Sequence, residues 1–98
     1  MSGARSAYSS DVAVVGVCED DAALRSVLTR ALRLMGHDPV VVATAAEALR
    51  AFASRRPDAL VLDIGLPDAD GRDLCVALRA AGVDAPVEAG LERSKSRD

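Results

Sequence analysis

Asp58-Ala59-Leu60-Val61-Leu62-Asp63-Ile64-Gly65-Leu66-Pro67-Asp68-Ala69-Asp70-Gly71 decides how the chain is read. Its first half is apolar except at its ends, as in a strand buried on both faces. Its second half crowds Gly, Pro and Asp into a strand-to-helix turn. Upstream, Val12 to Cys18 repeats the first half as a β-branched apolar run, and it stops abruptly at Glu19-Asp20-Asp21. Two buried strands thus end in acids.

The segments between and after them carry a helical period. Leu24, Val27, Leu28, Ala31, Leu32 and Met35 recur at three- and four-residue steps and make one apolar stripe. Asp20 or Asp21 can cap that helix. Gly36 can end it in a left-handed conformation, and Pro39 follows as a stop. Val40 to Val42 reads as a short second strand. Thr44-Ala45-Ala46-Glu47 is a capping box, with Ala48, Leu49 and Phe52 inward on the helix it opens and Pro57 closing it. Leu74, Ala77, Leu78 and Ala81 mark a third helix ended by Gly82, and Val83 to Val87 begins a fourth strand. The alternation β-α-β-α-β-α-β predicts an α/β fold, a parallel sheet with helices on both faces.

Composition fits this reading. The 98 residues allow one domain. Tyr8 and Phe52 are the aromatics, so the core is aliphatic. A net charge of −3 argues against direct contact with nucleic acid. Cys18 and Cys75 lie far apart inside apolar patterns and read as buried reduced thiols, not as metal ligands or a disulfide framework. Met1 to Ser6 lacks the apolar stretch of a signal peptide, and no run is long enough to span a bilayer, so a cytoplasmic location without membrane contact is expected. His37, in the turn Gly36-His37-Asp38-Pro39, is expected to be a solvated loop residue.

Parallel α/β sheets bind their ligands at the carboxyl ends of strands, where strand order reverses. If the first and third strands are neighbours, Glu19, Asp20 and Asp63 converge. Carboxylates that close repel, so their pKa values split or a cation binds. Hard oxygen donors suit Mg²⁺ better than zinc. A carboxylate beside Mg²⁺ can serve as a nucleophile toward a phosphoryl group. Taken singly, each acid reads as a helix cap or a strand-end residue. Together they favour a site.

Val14-Val15-Gly16-Val17-Cys18-Glu19-Asp20-Asp21 with Leu24-Arg25, and Leu60 to Gly71, resemble the opening and the phosphoacceptor segment of response-regulator receiver domains. The likeness runs from about Val12 to Val87. It implies a flavodoxin-like, receiver-type sheet and a place in phosphorelay signalling. Asp63 would accept a phosphoryl group from a sensor histidine kinase's phosphohistidine. Asp20 would bind Mg²⁺ directly, Glu19 would assist through water, and the backbone carbonyl of Gly65 would complete the protein's share of the metal shell. Pro67 and Gly71 would shape the loop that keeps Asp63 accessible. The role is that of a signalling domain, not of an enzyme beyond self-catalysed phosphotransfer.

After Val87 the likeness stops. Leu91 stands where the family has a Ser or Thr, and Lys95 is too near to be the family's fifth-strand lysine. Three segments are therefore expected: a disordered leader over 1–11, a partial receiver domain over 12–87, truncated after the start of the fourth strand, and a non-matching polar tail over 88–98. The third strand would then keep one bare edge and invite self-association, and the helix from Leu24 to Met35 would lose part of its cover. A fragment that binds partners without phosphotransfer is the alternative function. A nucleotide-binding α/β domain is disfavoured, because acids stand where a Gly-rich phosphate loop would follow the first strand.

Overall fold

The computed structural model describes residues 12–88. Four strands and three helices alternate: β1 (Val14–Cys18), α1 (Ala22–Leu34), β2 (Asp38–Val42), α2 (Ala45–Ser54), β3 (Ala59–Leu62), α3 (Gly71–Ala80) and β4 (Val87–Glu88). The sheet is parallel throughout, in the order β2-β1-β3-β4. The chain first steps from β1 to β2, then reverses across β1 to reach β3 and β4. Right-handed crossovers therefore place α1 on one face and α2 with α3 on the other.

The core lies under α2 and α3. Cys18, Ala48, Phe52, Leu60, Leu62, Leu74 and Leu78 are buried together there, and the expected inward Phe52 is fully enclosed. The opposite face is thinner. No residue of α1 is buried, and Val27, Leu34 and Met35 stand 60%, 81% and 65% exposed. The expected stripe is present as Leu24, Leu28 and Leu32, which are half-buried, while Val27 and Met35 fall on the outer side of the helix.

Helix ends follow the sequence signals closely. Gly36 and Gly82 take φ of +87° and +91°. Each ends its helix in a Schellman motif: the amides of His37 and Val83 bond the carbonyls of Leu32 and Leu78, and those of Gly36 and Gly82 bond Arg33 and Arg79. Buried Val83 and Leu78 add the apolar contact that accompanies the motif. At the start of α2, the Glu47 amide donates to Thr44 Oγ1 at 3.2 Å, and Glu47 Oε1 accepts from the Ala43 amide at 2.9 Å.

Several expectations change in detail. β2 begins at Asp38 and so contains Pro39, which had been read as a stop. An edge strand tolerates the missing amide, and β2 is at the sheet's edge. β1 starts at Val14 and β3 covers only Ala59–Leu62, so Asp58, Asp63 and Ile64 flank it. Asp58 instead accepts the Val14 amide at 2.8 Å. β4 is the pair Val87–Glu88, so Glu88 belongs to a strand although it was expected to open the tail. His37 is half-buried rather than solvated, because its Nδ1 accepts the Ala13 amide at 3.1 Å. Cys18 is buried, whereas Cys75 is only partly so. The leader over 1–11 and the tail positions Leu91 and Lys95 lie outside the described residues.

Candidate functional site

The order of the strands reverses between β1 and β3, so the crevice at their carboxyl ends is the predicted binding position. The register pairs Cys18 with Leu62, which makes Glu19 and Asp63 the next residues on adjacent strands. The Asp63 amide donates to the Cys18 carbonyl at 2.9 Å, and the Glu19 amide to the Val42 carbonyl at 3.1 Å. The first bond holds the tips of β1 and β3 side by side, and the second ties the tip of β1 to β2.

Glu19, Asp20 and Asp63 each bring a carboxylate oxygen to within 4.8 Å of the others. Glu19 and Asp63 are buried, at 1% and 0% exposure, while Asp20 faces solvent. The three acids expected to converge do so, as an inner pair and an outer member. Asp63 is enclosed rather than standing open. Asp21, not Asp20, caps α1, with its Oδ1 accepting the Ala23 and Leu24 amides at 2.9 and 3.2 Å. That division of labour leaves Asp20 outside the cap.

Burial pushes the Glu19 carboxyl up to about 7. The Asp21 amide, donating to its Oε2 at 3.0 Å, opposes the rise, and neighbouring Asp63 adds to it. Three acids drawn this close, two of them out of water, make a site of high negative potential that a small hard cation would relieve. The donor set is all oxygen and one member faces water, which suits an ion that keeps part of its hydration shell. The residues present therefore fit Mg²⁺.

The loop from Ile64 to Asp70 is tightly built. Gly65 donates its amide to Asp63 Oδ1 at 3.1 Å and forms a bridge with Asp70, and the Gly71 amide bonds the Ile64 carbonyl at 2.8 Å. A Cβ on Gly71 would lie 2.5 Å from the Asp63 carbonyl oxygen, so only glycine allows this closure. Leu66 is drawn into the core cluster. Asp70 caps α3, accepting the Arg72 amide at 2.8 Å.

Sequence reasoning placed Asp68 only in the loop. In the structure its Oδ1 and Oδ2 accept the Ala45 and Ala46 amides of α2 at 2.8 and 3.1 Å. Those bonds hold its carboxyl below the ordinary aspartate value, the Ala45 amide contributing most. The donors are backbone groups of alanines 23 and 22 positions away, so no side-chain pattern announces them. Arg25 was likewise missed as a support: its guanidinium donates to the Glu19 carbonyl at 2.8 Å.

The sequence model of the family described as the response regulator receiver domain matches residues 15–89. This chain belongs to the response regulator receiver domain family. Among curated proteins, the receiver domain resembles response regulator MprA of Mycobacterium ulcerans, 44% identical over 71 residues, which are 72% of this chain and 31% of that protein. It also resembles the transcriptional regulatory protein PrrA of Mycobacterium tuberculosis, 45% identical over 71 residues, 72% of this chain and 30% of that protein. The chain thus spans under a third of the length of these relatives. Among solved structures, the BeF3-activated N-terminal receiver domain of Klebsiella pneumoniae RstA superposes with a TM-score of 0.70 at 31% identity, over 76% of this chain and 62% of that one. Chemotaxis response regulator CheY4 of Vibrio cholerae gives 0.73 at 22% identity, over 86% and 76%, and speaks for the fold alone. The flavodoxin-like receiver fold expected from the sequence is the fold observed. Among the described residues, no helix is long and apolar enough to cross a membrane.

Proposed function

We propose that this receiver domain, spanning about residues 12–87, works in a two-component phosphorelay, with Asp63 as the phosphoryl acceptor. The supporting observation is the meeting of Glu19, Asp20 and Asp63 at the β1–β3 switch point, two of them buried. A carboxylate oxygen of Asp63 attacks the phosphorus of a phosphohistidine on a sensor histidine kinase. The phosphorus–nitrogen bond breaks, the imidazole leaves and takes up a proton, and an aspartyl phosphate remains.

Asp20, Asp63 and the Gly65 carbonyl would hold Mg²⁺ directly, and Glu19 would assist through water. When bound, the ion supplies positive charge against the transferring oxygens. Glu19 and Asp20 would help to hold it, and the Gly65 amide, already on Asp63 Oδ1, orients the nucleophile. Burial of Asp63 excludes bulk water from its inner side, and exposed Asp20 marks the side from which the donor arrives. The proposed location is the cytoplasm, where such kinases present their phosphohistidine.

The test is phosphorylation by acetyl phosphate or a kinase, read by intact mass. The wild-type chain should gain one phosphoryl group with Mg²⁺ and none with chelator, and Asp63→Asn should gain none. A wild-type chain that stays unmodified at saturating phosphodonor and Mg²⁺ removes the proposal.

A second reading is a receiver that works by binding alone. The exposed Val27, Leu34 and Met35 on α1 favour it. It predicts partner binding of equal strength in wild type and Asp63→Asn.

A further inference from the structure

The loop that follows Asp63 is fastened to a helix from elsewhere in the chain. Both carboxylate oxygens of Asp68 accept amides at the N-terminus of α2, from Ala45 at 2.8 Å and Ala46 at 3.1 Å. The next amide of that helix, Glu47, is already taken by Thr44 Oγ1. The cap of α2 is therefore divided: Thr44 supplies its local part and Asp68 its distant part.

We propose that Asp68 is a positioning residue for the metal and phosphoryl site, a latch that fixes the Gly65 backbone by tying the loop's tip to α2. This inference rests on the functional reading above. At its base the loop is set by the Gly65–Asp70 bridge and by the Gly71 amide on the Ile64 carbonyl. At its tip Asp68 makes two charge-assisted bonds to a helix end whose dipole favours an anion. Gly65 lies three residues before Asp68, on the rising limb of the same short loop. Its amide reaches Asp63 Oδ1 and its carbonyl is the proposed metal donor. With the loop tip released from α2, that peptide keeps only the Asp70 bridge and its bond to Asp63, and is held less firmly for both roles. Thr44 Oγ1 takes only the Glu47 amide and Glu47 Oε1 the Ala43 amide, so Asp68 caps the first two amides of α2 and in doing so ties the loop to the helix.

The test compares the wild-type chain with Asp68→Ala, Asp68→Asn and Thr44→Ala. Two readouts are used: amide hydrogen exchange at Gly65 and Gly71, and Mg²⁺ affinity by calorimetry. Asp68→Ala should speed exchange at Gly65 and Gly71 and weaken Mg²⁺ binding by on the order of 10-fold, as loss of a supporting outer contact does. Asp68→Asn keeps one acceptor oxygen and should fall between. Thr44→Ala weakens the same helix end without touching the loop, so it should leave Mg²⁺ affinity within about twofold of wild type. Equal Mg²⁺ affinity and unchanged exchange in Asp68→Ala would overturn the latch, as would an equal loss in Thr44→Ala. If Asp68→Ala does not fold, the same comparison is made with Asp68→Asn. If the wild-type chain binds no Mg²⁺, the functional reading fails instead. The latch is then decided by exchange alone: faster at Gly65 and Gly71 in the Asp68 variants than in Thr44→Ala upholds it, and no difference overturns it.

Discussion

Cys18 and Asp68 show how one side chain's surroundings set its chemistry. Cys18 lies at the end of β1, fully buried, with its Sγ donating to the Thr44 carbonyl at 3.4 Å. Burial, with nearby acids adding to it, pushes its thiol up to about 12. The thiolate is the reactive form, so Cys18 should resist alkylation in the folded protein. Cys75 is partly exposed and should be modified first. Brief iodoacetamide treatment followed by peptide mass mapping checks this, and early label on Cys18 would contradict it. Asp68 works in the opposite sense. Its native carboxyl lies below the 3.8 of the unfolded chain, because two amides bond the charged form. The unfolded state therefore binds more protons in that window. The stabilisation is complete above the unfolded value and is lost as pH falls through the native one. Asp68→Ala should thus be less stable than wild type at neutral pH, and urea midpoints of the two should converge as the pH drops below about 4.

At the scale of elements, the two faces of the sheet differ. Phe52 of α2 is fully enclosed among Cys18, Leu60 and Leu74 on the thicker face. Phe52→Ala should cost about 3–5 kcal/mol, both for the transfer lost and for the cavity left. Urea unfolding measures it, and a loss under about 1 kcal/mol would mean that the core is looser than described. For a small domain that loss is a large share of total stability. On α1 the same kind of change should act differently. Val27 and Leu34 are exposed, so Val27→Lys or Leu34→Lys should shift stability by less than about 0.5 kcal/mol. The stripe was read as one band of apolar positions. The helix turns it into an inner row, Leu24, Leu28 and Leu32, and an exposed outer row, Val27, Ala31 and Met35.

For the whole molecule, the described sheet has β2 and β4 as its edges. β2 carries Asp38 and Pro39, and Arg55, the residue just after α2, pairs with Asp38. Charge and a missing amide blunt that edge against further strands. β4 meets β3 only at Leu60 and Val61 and presents a short edge. Arg79 and Arg56 secure the approach to it, Arg79 donating to the Ala85 carbonyl at 2.8 Å and Arg56 to the Gly82 carbonyl. An edge this short offers little to a further strand, so association between copies would run through the exposed Val27, Leu34 and Met35 of α1. Sedimentation velocity should show species larger than the monomer at micromolar concentration, and Leu34→Lys should reduce them. A chain that remains monomeric in that range would remove the self-association reading.

The order of elements, their type, the Thr44 cap, the terminating glycines Gly36 and Gly82 and the identity of the acidic trio were legible in the sequence. Each depends on local periodicity, local backbone chemistry or residue type, and these travel with the chain. Tertiary structure alone decided that Asp21 rather than Asp20 caps α1, that His37 is drawn in against Ala13, and that Asp68 reaches α2. It also decided that α1 stays open on its outer side. These outcomes depend on which backbone amides and which neighbouring surfaces come together across the fold. Every residue carries the same amide, so its partner is set by position in space and leaves no mark in the order of side chains.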